Sequence, residues 1–475
     1  MHFFRPQTHG LYSDQCTTGY ASPSEVPVLY YFIAILYKIF GYHELIFRAV
    51  NLIIFYLGLY YLFRLACLML NDLFFSAIVL ALIFTSPVLV YYGNNFLPNT
   101  VALSFSLIGW YHFYRYHLHK KTGTLLLSML FFGIAGLLKI TELTGLLIIL
   151  VLMLADRLKI TSLKLVADRD FIPGIISILL IFTAIAGWLW YAKAYNNQHG
   201  SIQFSTHTYP YWRLGKAAVD NVFHKMHTLW FADYFYPPTL YGMIACIPFT
   251  AVFLKRSDKL LSVVSLFLIL AVVAFSLLWF QALADHDYFF IGFYVLPAFL
   301  FINFFVILKS LKLKIVYQRI IQVVLIGVTF VNLLHAHERQ LIRYNSWMND
   351  YPEMQDVYTI KPWLREQGIH ERDTVVFYPG VNIRALYLMN LKGWPVADHT
   401  WARPKDQLPD SVLMGTFLAN GAKYLITNNI NSLMAYPLLL PYAKDLYGKY
   451  GSVYIFRIPP QQDNFNPDDE PSPDS

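Results

Sequence analysis

The chain has 475 residues, 57% of them hydrophobic and 14% charged, with a mean hydropathy of +0.45 and a formal net charge of +7. A soluble globular protein carries about a quarter charged residues, so this shortfall and the repeated long apolar runs exclude an ordinary soluble domain and indicate a polytopic membrane protein. The positive charge does not signal nucleic acid, because it sits mostly in short loops between apolar runs, and Cys16, Cys67 and Cys246 have no disulfide-framework or metal-type spacing.

Residues 1–42 read as a polar segment followed by a short helix. The stretch SPSEVPVLYY sets Glu25 between Pro23 and Pro27, ahead of an apolar, aromatic run from Val26 to Phe40. That run is short for a span of about 20 residues, carries Lys38 and ends at Gly41, which suits a helix lying in the membrane interface. Ten apolar runs follow, at 45–66, 73–92, 99–116, 122–138, 141–155, 172–193, 240–254, 260–280, 289–307 and 315–335.

Alternate loops differ in charge. Arg64; Arg115, Lys120 and Lys121; Arg157, Lys159, Lys164 and Arg169; Lys255, Arg256 and Lys259; and Lys309, Lys312, Lys314 and Arg319 fall in one set. The other set is YYGNNFLPN, KITE, the long 194–239 loop, QALADHDY and everything after the last run. The positive-inside rule makes the first set cytoplasmic and the second extracytoplasmic. This places the protein in the plasma (inner) membrane with both the N-terminal 42 residues and the C-terminal region outside. Met1 opens directly on a polar segment without a signal-peptide pattern. A helix preceding Met1 is the expected means of export, and unaided passage of a short tail is the alternative.

Beyond the last run, residues 339–458 hold a helical pattern near 354–368 and the strand-like runs DTVVFYP, KYLITNN and SVYIFRI, which suggest a small α/β domain. Residues 459–475 are acidic and proline-rich and read as a disordered tail.

Ionisable and amide groups against the membrane are functional candidates, and four clusters fall on the expected outer face. Asp14 and Glu25 supply carboxylates; Glu25 suits a general base, a divalent-cation ligand, or an acid at a helix N-terminus. Asn94, Asn95 and Asn99 supply amides, with Asn99 also placed to cap the next helix. Lys139 suits a phosphate, or an i,i+3 pair with Glu142. Asp285, His286, Asp287 and Tyr288 open the ninth run, where they suit a phosphate, metal or sugar, or cap a helix. The 194–239 loop adds Arg213 among tryptophans, tyrosines and histidines, a mixture that suits a sugar phosphate or lipid headgroups.

Taken in order, SEVPVLYYFIAILYKIFGYHELIFRAVNLI, TSPVLVYYGNNFLPNTVALSFSLIGWYHF, GIAGLLKITEL and HDYFFIGFYVLP resemble the GT-C superfamily of polyprenyl-phosphate-sugar glycosyltransferases. That group includes bacterial relatives of protein O-mannosyltransferases and the aminoarabinose transferase acting on lipid A. The resemblance covers most of the chain. It implies an α-helical GT-C-like membrane fold, and an inverting transfer of a sugar from a polyprenyl phosphate to a hydroxyl of a glycan, lipid or protein. It also implies Glu25 as the family's second acid, for acceptor or metal (Mg or Mn) binding. Lys139, His286, Asp287, Tyr288, Asn94, Asn95 and Arg213 are the candidates for donor phosphate or sugar. Two departures stand out. The family's principal aspartate follows a first transmembrane helix that has no counterpart here, so it precedes Met1 or is replaced by Asp14; and an acid near Asn99 is replaced by amides. The rival expectations are a transporter or flippase of a lipid-linked sugar, which tends to carry internal repeats and mid-membrane polar groups, and a non-catalytic assembly scaffold.

Overall fold

The computed structural model describes residues 25–198, 208–349, 354–379, 384–396 and 410–459; Asp14 lies outside them. Two compact units are present, one of residues 24–190 and 206–343, the other mainly of residues 344–475.

The first unit is helical. Helix α1 (Val28–Phe40) has 13 residues and reaches about 20 Å, too short to cross a bilayer. It buries Leu29 and Ile33 and leaves Phe32, Ile39 and Phe40 exposed. Then come α2 (Glu44–Leu70), α3 (Leu73–Phe84), α4 (Pro87–Gly93), α5 (Asn99–His119), α6 (Thr122–Leu138), α7 (Leu143–Arg157), α8 (Asp168–Gln198), α9 (Lys216–Lys225), α10 (Phe231–Tyr234), α11 (Pro237–Val252), α12 (Lys259–Leu278), α13 (Val295–Ser310) and α14 (Ile315–Asn349). Among the described residues, α2, α8, α12 and α14 are long and apolar enough to cross a membrane. Two bent pairs bring that number to six.

The first bent pair departs from the single run read at 73–92. Its helices α3 and α4 meet at 75°, because Pro87 cannot occupy a helix interior and instead starts α4, with the Ser86 hydroxyl accepting from Leu89 N at 3.4 Å. In the second pair, a 3₁₀ segment at Asp287–Phe293 meets α13 at 47°, at the start of the run read at 289–307.

Helix α5 is the core element, with Val101, Leu103, Trp110 and Phe113 all buried. Helix α2 packs on it at backbone distance, since a Cβ on Gly58 would lie 2.6 Å from Ser104 Cα. The peripheral helices expose apolar faces, such as Ile320, Val323 and Val324 on α14 and Ile172, Ile176 and Leu179 on α8. Surfaces of this kind need lipid rather than water, so the chain is a multi-pass membrane protein. An apolar cavity of about 620 Å³ opens among α3, α11, α13 and α14, lined by residues such as Phe249, Phe301, Phe305 and Val331. None of the candidate site residues lines it.

The second unit contains α15 (Gln355–Thr359), α16 (Lys361–Glu366), β1 (Thr374–Tyr378), α17 (Arg384–Met389), β2 (Lys392–Pro395), α18 (Asp410–Ala419), β3 (Ala422–Thr427), α19 (Ile430–Met434), β4 (Asp445–Tyr450) and β5 (Val453–Arg457). Its sheet runs β2-β1-β3-β5-β4, with β1 parallel to β2 and β3 and with β5 antiparallel to β3 and β4. Successive β1 side chains enter opposite layers: Val375 and Phe377 pack with Val357, Leu364 and Leu386, while Val376 and Tyr378 pack with Phe417 and Leu433. A strand buried on both faces reads as a continuous apolar run, as VVFY does.

Candidate active site

Helix α6 stops at Leu138. Lys139 is extended there, and a single 3₁₀ turn, Ile140–Glu142, leads into α7. At this break the Lys139 ammonium bonds to the Glu25 carboxylate, two residues ahead of the Pro27 that opens α1. Lys139 therefore takes a long-range partner and not its i,i+3 neighbour. Among the described residues, Lys139 is the one hydrogen-bond partner of Glu25. The pair is partly exposed, with 17% of the Lys139 side chain and 32% of the Glu25 side chain accessible, so both groups remain open to a ligand.

Glu142 faces the same break from within. Its residue is only 2% exposed, and Oε1 has no hydrogen-bond partner among the described residues. Gly292 of the 3₁₀ segment packs directly on it, such that a Cβ there would lie 2.8 Å from Glu142 Oε1 and 3.1 Å from Thr141 Oγ1. This contact brings the HDYFFIGF stretch against KITE.

His286 and Tyr288 lie within electrostatic reach of the pair. Burial lowers the His286 pKa; Asp285 and Asp287 oppose that shift, and Lys139 adds to it. The Tyr288 hydroxyl is 3.1 Å from His286 Nδ1. Its own pKa is pushed up to about 12 by burial, Asp287 and Glu25. Tyr30, on α1, is likewise raised to about 12 by burial and by Glu25. At neutral pH His286 is thus an uncharged ring, suited to hydrogen bonding a sugar or phosphate oxygen but not to supplying positive charge.

Asp287 faces inward. Tyr92 donates to its Oδ1 at 2.8 Å and Arg343 bonds its Oδ2. Arg343 also donates to Asp233 Oδ2 at 2.8 Å, and Arg339 holds the other Asp233 oxygen. Arg343 and both aspartates are buried. Sequence reading missed this network, because Arg339 and Arg343 lie beyond the last expected span and both look like residues of the following domain. The signal available was their i,i+4 spacing, which puts two guanidiniums on one face of a continuous helix.

The amides divide. Asn99 is buried and does not cap α5: Pro98 holds the cap position, and Asn99 Nδ2 donates to Tyr288 O at 3.3 Å. Asn95 Oδ1 accepts from Phe96 N at 2.7 Å, and its carbonyl accepts from Asn51 of α2. The Asn94 carbonyl accepts from Arg48 at 2.8 Å, while its side chain makes no hydrogen bond among the described residues. Arg48, whose guanidinium also lies 4.5 Å from the Phe96 ring centroid, is a second residue that sequence reading left without a role. Arg213 sits exposed in the turn Tyr211–Arg213, and no described contact joins it to the Glu25–Lys139 pair. The 208–234 segment docks instead on the 281–285 turn, through Lys225 to Asp285 at 2.7 Å and Trp230 Nε1 to Ala284 O at 3.1 Å.

A divalent cation finds no donor set among the described residues. No group of three or more His, Cys, Asp or Glu side chains is disposed around a common point. Glu25 is held by Lys139, Asp285 by Lys225 and Asp287 by Arg343.

A family model described as dolichyl-phosphate-mannose-protein mannosyltransferase matches residues 22–191, the stretch that carries Glu25, Asn94, Asn95 and Lys139. The oligosaccharyltransferase of Archaeoglobus fulgidus in its apo form superposes with a TM-score of 0.55 at 13% identity, covering 97% of this chain and 68% of that one. The chain therefore has a GT-C-type fold. The same archaeal enzyme in complex with zinc and sulfate gives a TM-score of 0.52 at 13% identity, over 92% of this GT-C chain and 65% of its own. ArnT from Cupriavidus metallidurans bound to undecaprenyl phosphate aligns at 13% identity and a TM-score of 0.43, over 94% and 90% of the two chains. No curated protein matches this GT-C chain by sequence.

Proposed function

We propose that this GT-C protein is a membrane glycosyltransferase that moves a sugar from a polyprenyl phosphate to an acceptor hydroxyl on the extracytoplasmic face. The observation carrying this reading is the partly exposed Glu25–Lys139 pair at the head of the interfacial helix, flanked by His286 and Tyr288. It supplies a cation for a lipid phosphate and a carboxylate for a hydroxyl at the level where both reactants lie. The match of residues 22–191 to a family named for a dolichyl-phosphate-mannose donor supports the same donor class.

In the reaction, the acceptor oxygen attacks the anomeric carbon as the bond from that carbon to the phosphate oxygen breaks. The hydroxyl proton passes to a carboxylate, and the electron pair leaves with the phosphate. Lys139 stabilises the charge gathering on that leaving group, a role that lowers the barrier because the cation is already in place. Glu25 holds the acceptor hydroxyl, and His286 and Tyr288 hydrogen-bond the donor sugar or phosphate. Asn94, whose side chain is uncommitted, serves the same end. Holding two membrane-borne reactants in one geometry supplies much of the remaining acceleration. Attack opposite the leaving group inverts the anomeric centre.

Transfer from a radiolabelled polyprenyl-phosphate sugar in membranes tests this. E25A should lower the rate by about 10²-fold or more, a typical loss for a positioned acid–base group. Wild-type transfer that persists unchanged in E25A removes Glu25 from the mechanism, and no transfer with any donor sugar removes the activity.

A further inference from the structure

We infer that the donor phosphate takes Lys139 away from Glu25, so that Glu25 becomes available to the acceptor hydroxyl only after the donor has bound. This rests on the donor reading above and adds an order of events to it.

The inference follows from the scarcity of positive charge at the break between α6 and α7. Among the described residues, Glu25 is the one hydrogen-bond partner of the Lys139 ammonium. The buried Glu142 lies beyond, but burial pushes its pKa up to about 8, so at neutral pH it is mostly the uncharged acid. One cation is therefore already committed to one carboxylate, Glu25, before a phosphate arrives. Among the described residues no second cation relieves the demand: His286 sits in surroundings that disfavour its protonation, and Arg48 is turned to Glu44, Asn94 and Phe96.

An ammonium has three donors and can touch two anions, but those anions would then lie a few ångströms apart. Their repulsion at that range is comparable in size to either attraction, so the second anion gains little unless the first withdraws. Glu25 is the group free to withdraw. It precedes α1, its side chain is one-third exposed, and among the described residues no hydrogen bond other than that from Lys139 holds it in place. Once parted from Lys139 and set beside a bound phosphate, a carboxylate becomes more basic, which is the change a group accepting a hydroxyl proton requires.

The test is binding of farnesyl phosphate to the detergent-solubilised full chain, followed by intrinsic fluorescence, with farnesol as the uncharged control. Wild type is expected to prefer the phosphate, and K139M to lose at least tenfold in affinity. E25Q, which removes the competitor, is expected to bind farnesyl phosphate roughly twofold to fivefold more tightly, the size of a partly exposed ion pair. That gain should vanish in the E25Q/K139M double variant, because Glu25 acts through Lys139 and not by general repulsion. E25Q affinity equal to or weaker than wild type, with K139M still impaired, overturns the inference and leaves the donor reading intact, as does a gain that persists in the double variant. Equal binding of farnesol and farnesyl phosphate by wild type overturns both.

Discussion

Asp287 and Glu25 are both carboxylates beside the membrane surface, and local sequence does not tell their fates apart. Asp287 is buried and shared between Tyr92 and Arg343, whereas Glu25 stays accessible on Lys139. The difference comes from partners 56 and 114 positions away, and no motif of a few residues encodes a partner at that range. The Asp287 assignment is testable by its cost. R343M leaves two buried carboxylates short of a partner and should destabilise the protein by about 3–5 kcal/mol, read as a lower thermal unfolding midpoint in detergent. D287N in the R343M background should recover part of that loss, since it removes one stranded charge. If R343M unfolds at the wild-type temperature, the network is not structural.

At the scale of elements, the apolar runs were legible because length and hydropathy alone define them, and α1 was legible as a helix too short to cross. The breaks were not. Thr85–Ser86–Pro87 lies within an unbroken run of hydropathy, yet Pro87 and the Ser86 cap turn the chain by 75°. In the second unit the turn of the β4–β5 hairpin is fixed by chemistry from outside it: Asp356 accepts from Ser452 N at 2.7 Å and from Ser452 Oγ at 2.8 Å. Gly451 at φ +56° leaves room for that carboxylate, where a Cβ would collide with it. The Ser452 backbone and hydroxyl hold the Asp356 pKa below its ordinary 3.8. A depressed carboxyl pKa means the unfolded turn binds more protons than the folded one, so the stabilisation is present above pH 3.8 and is lost as pH falls through the folded value. Hydrogen-exchange protection of the β4–β5 amides, corrected for intrinsic rates, should therefore fall in acid in the full chain. In D356N it should be lower at neutral pH and lack that acid step. Equal profiles for the two proteins would detach Asp356 from the hairpin.

At the scale of the whole molecule, sidedness is carried by charge and not by shape. Lys121 and Lys312 are exposed at loops of the basic set, and Lys216 and Lys449 at segments of the alternate set. The proposed reaction needs Glu25 and Lys139 on the side opposite the basic loops, where a lipid-borne sugar meets its acceptor, and it fails if they share a side. Single cysteines distinguish the two arrangements once Cys16, Cys67 and Cys246 are replaced by serine. In intact spheroplasts, a membrane-impermeant maleimide should label K216C and K449C and should label K121C and K312C only after lysis. Four of the five basic loops hold several lysines or arginines, and such short-loop charges set orientation because moving them across the membrane is unfavourable. Adding lysines to the turn that follows Lys139 should accordingly shift some molecules toward the inverted pattern and lower transfer activity in proportion. Labelling of K121C from outside in otherwise wild-type topology would reverse the orientation and place the Glu25–Lys139 pair in the cytoplasm. Labelling of K216C but not K449C would instead mean that an odd number of crossings separates the two, against the four spans expected at 240–254, 260–280, 289–307 and 315–335.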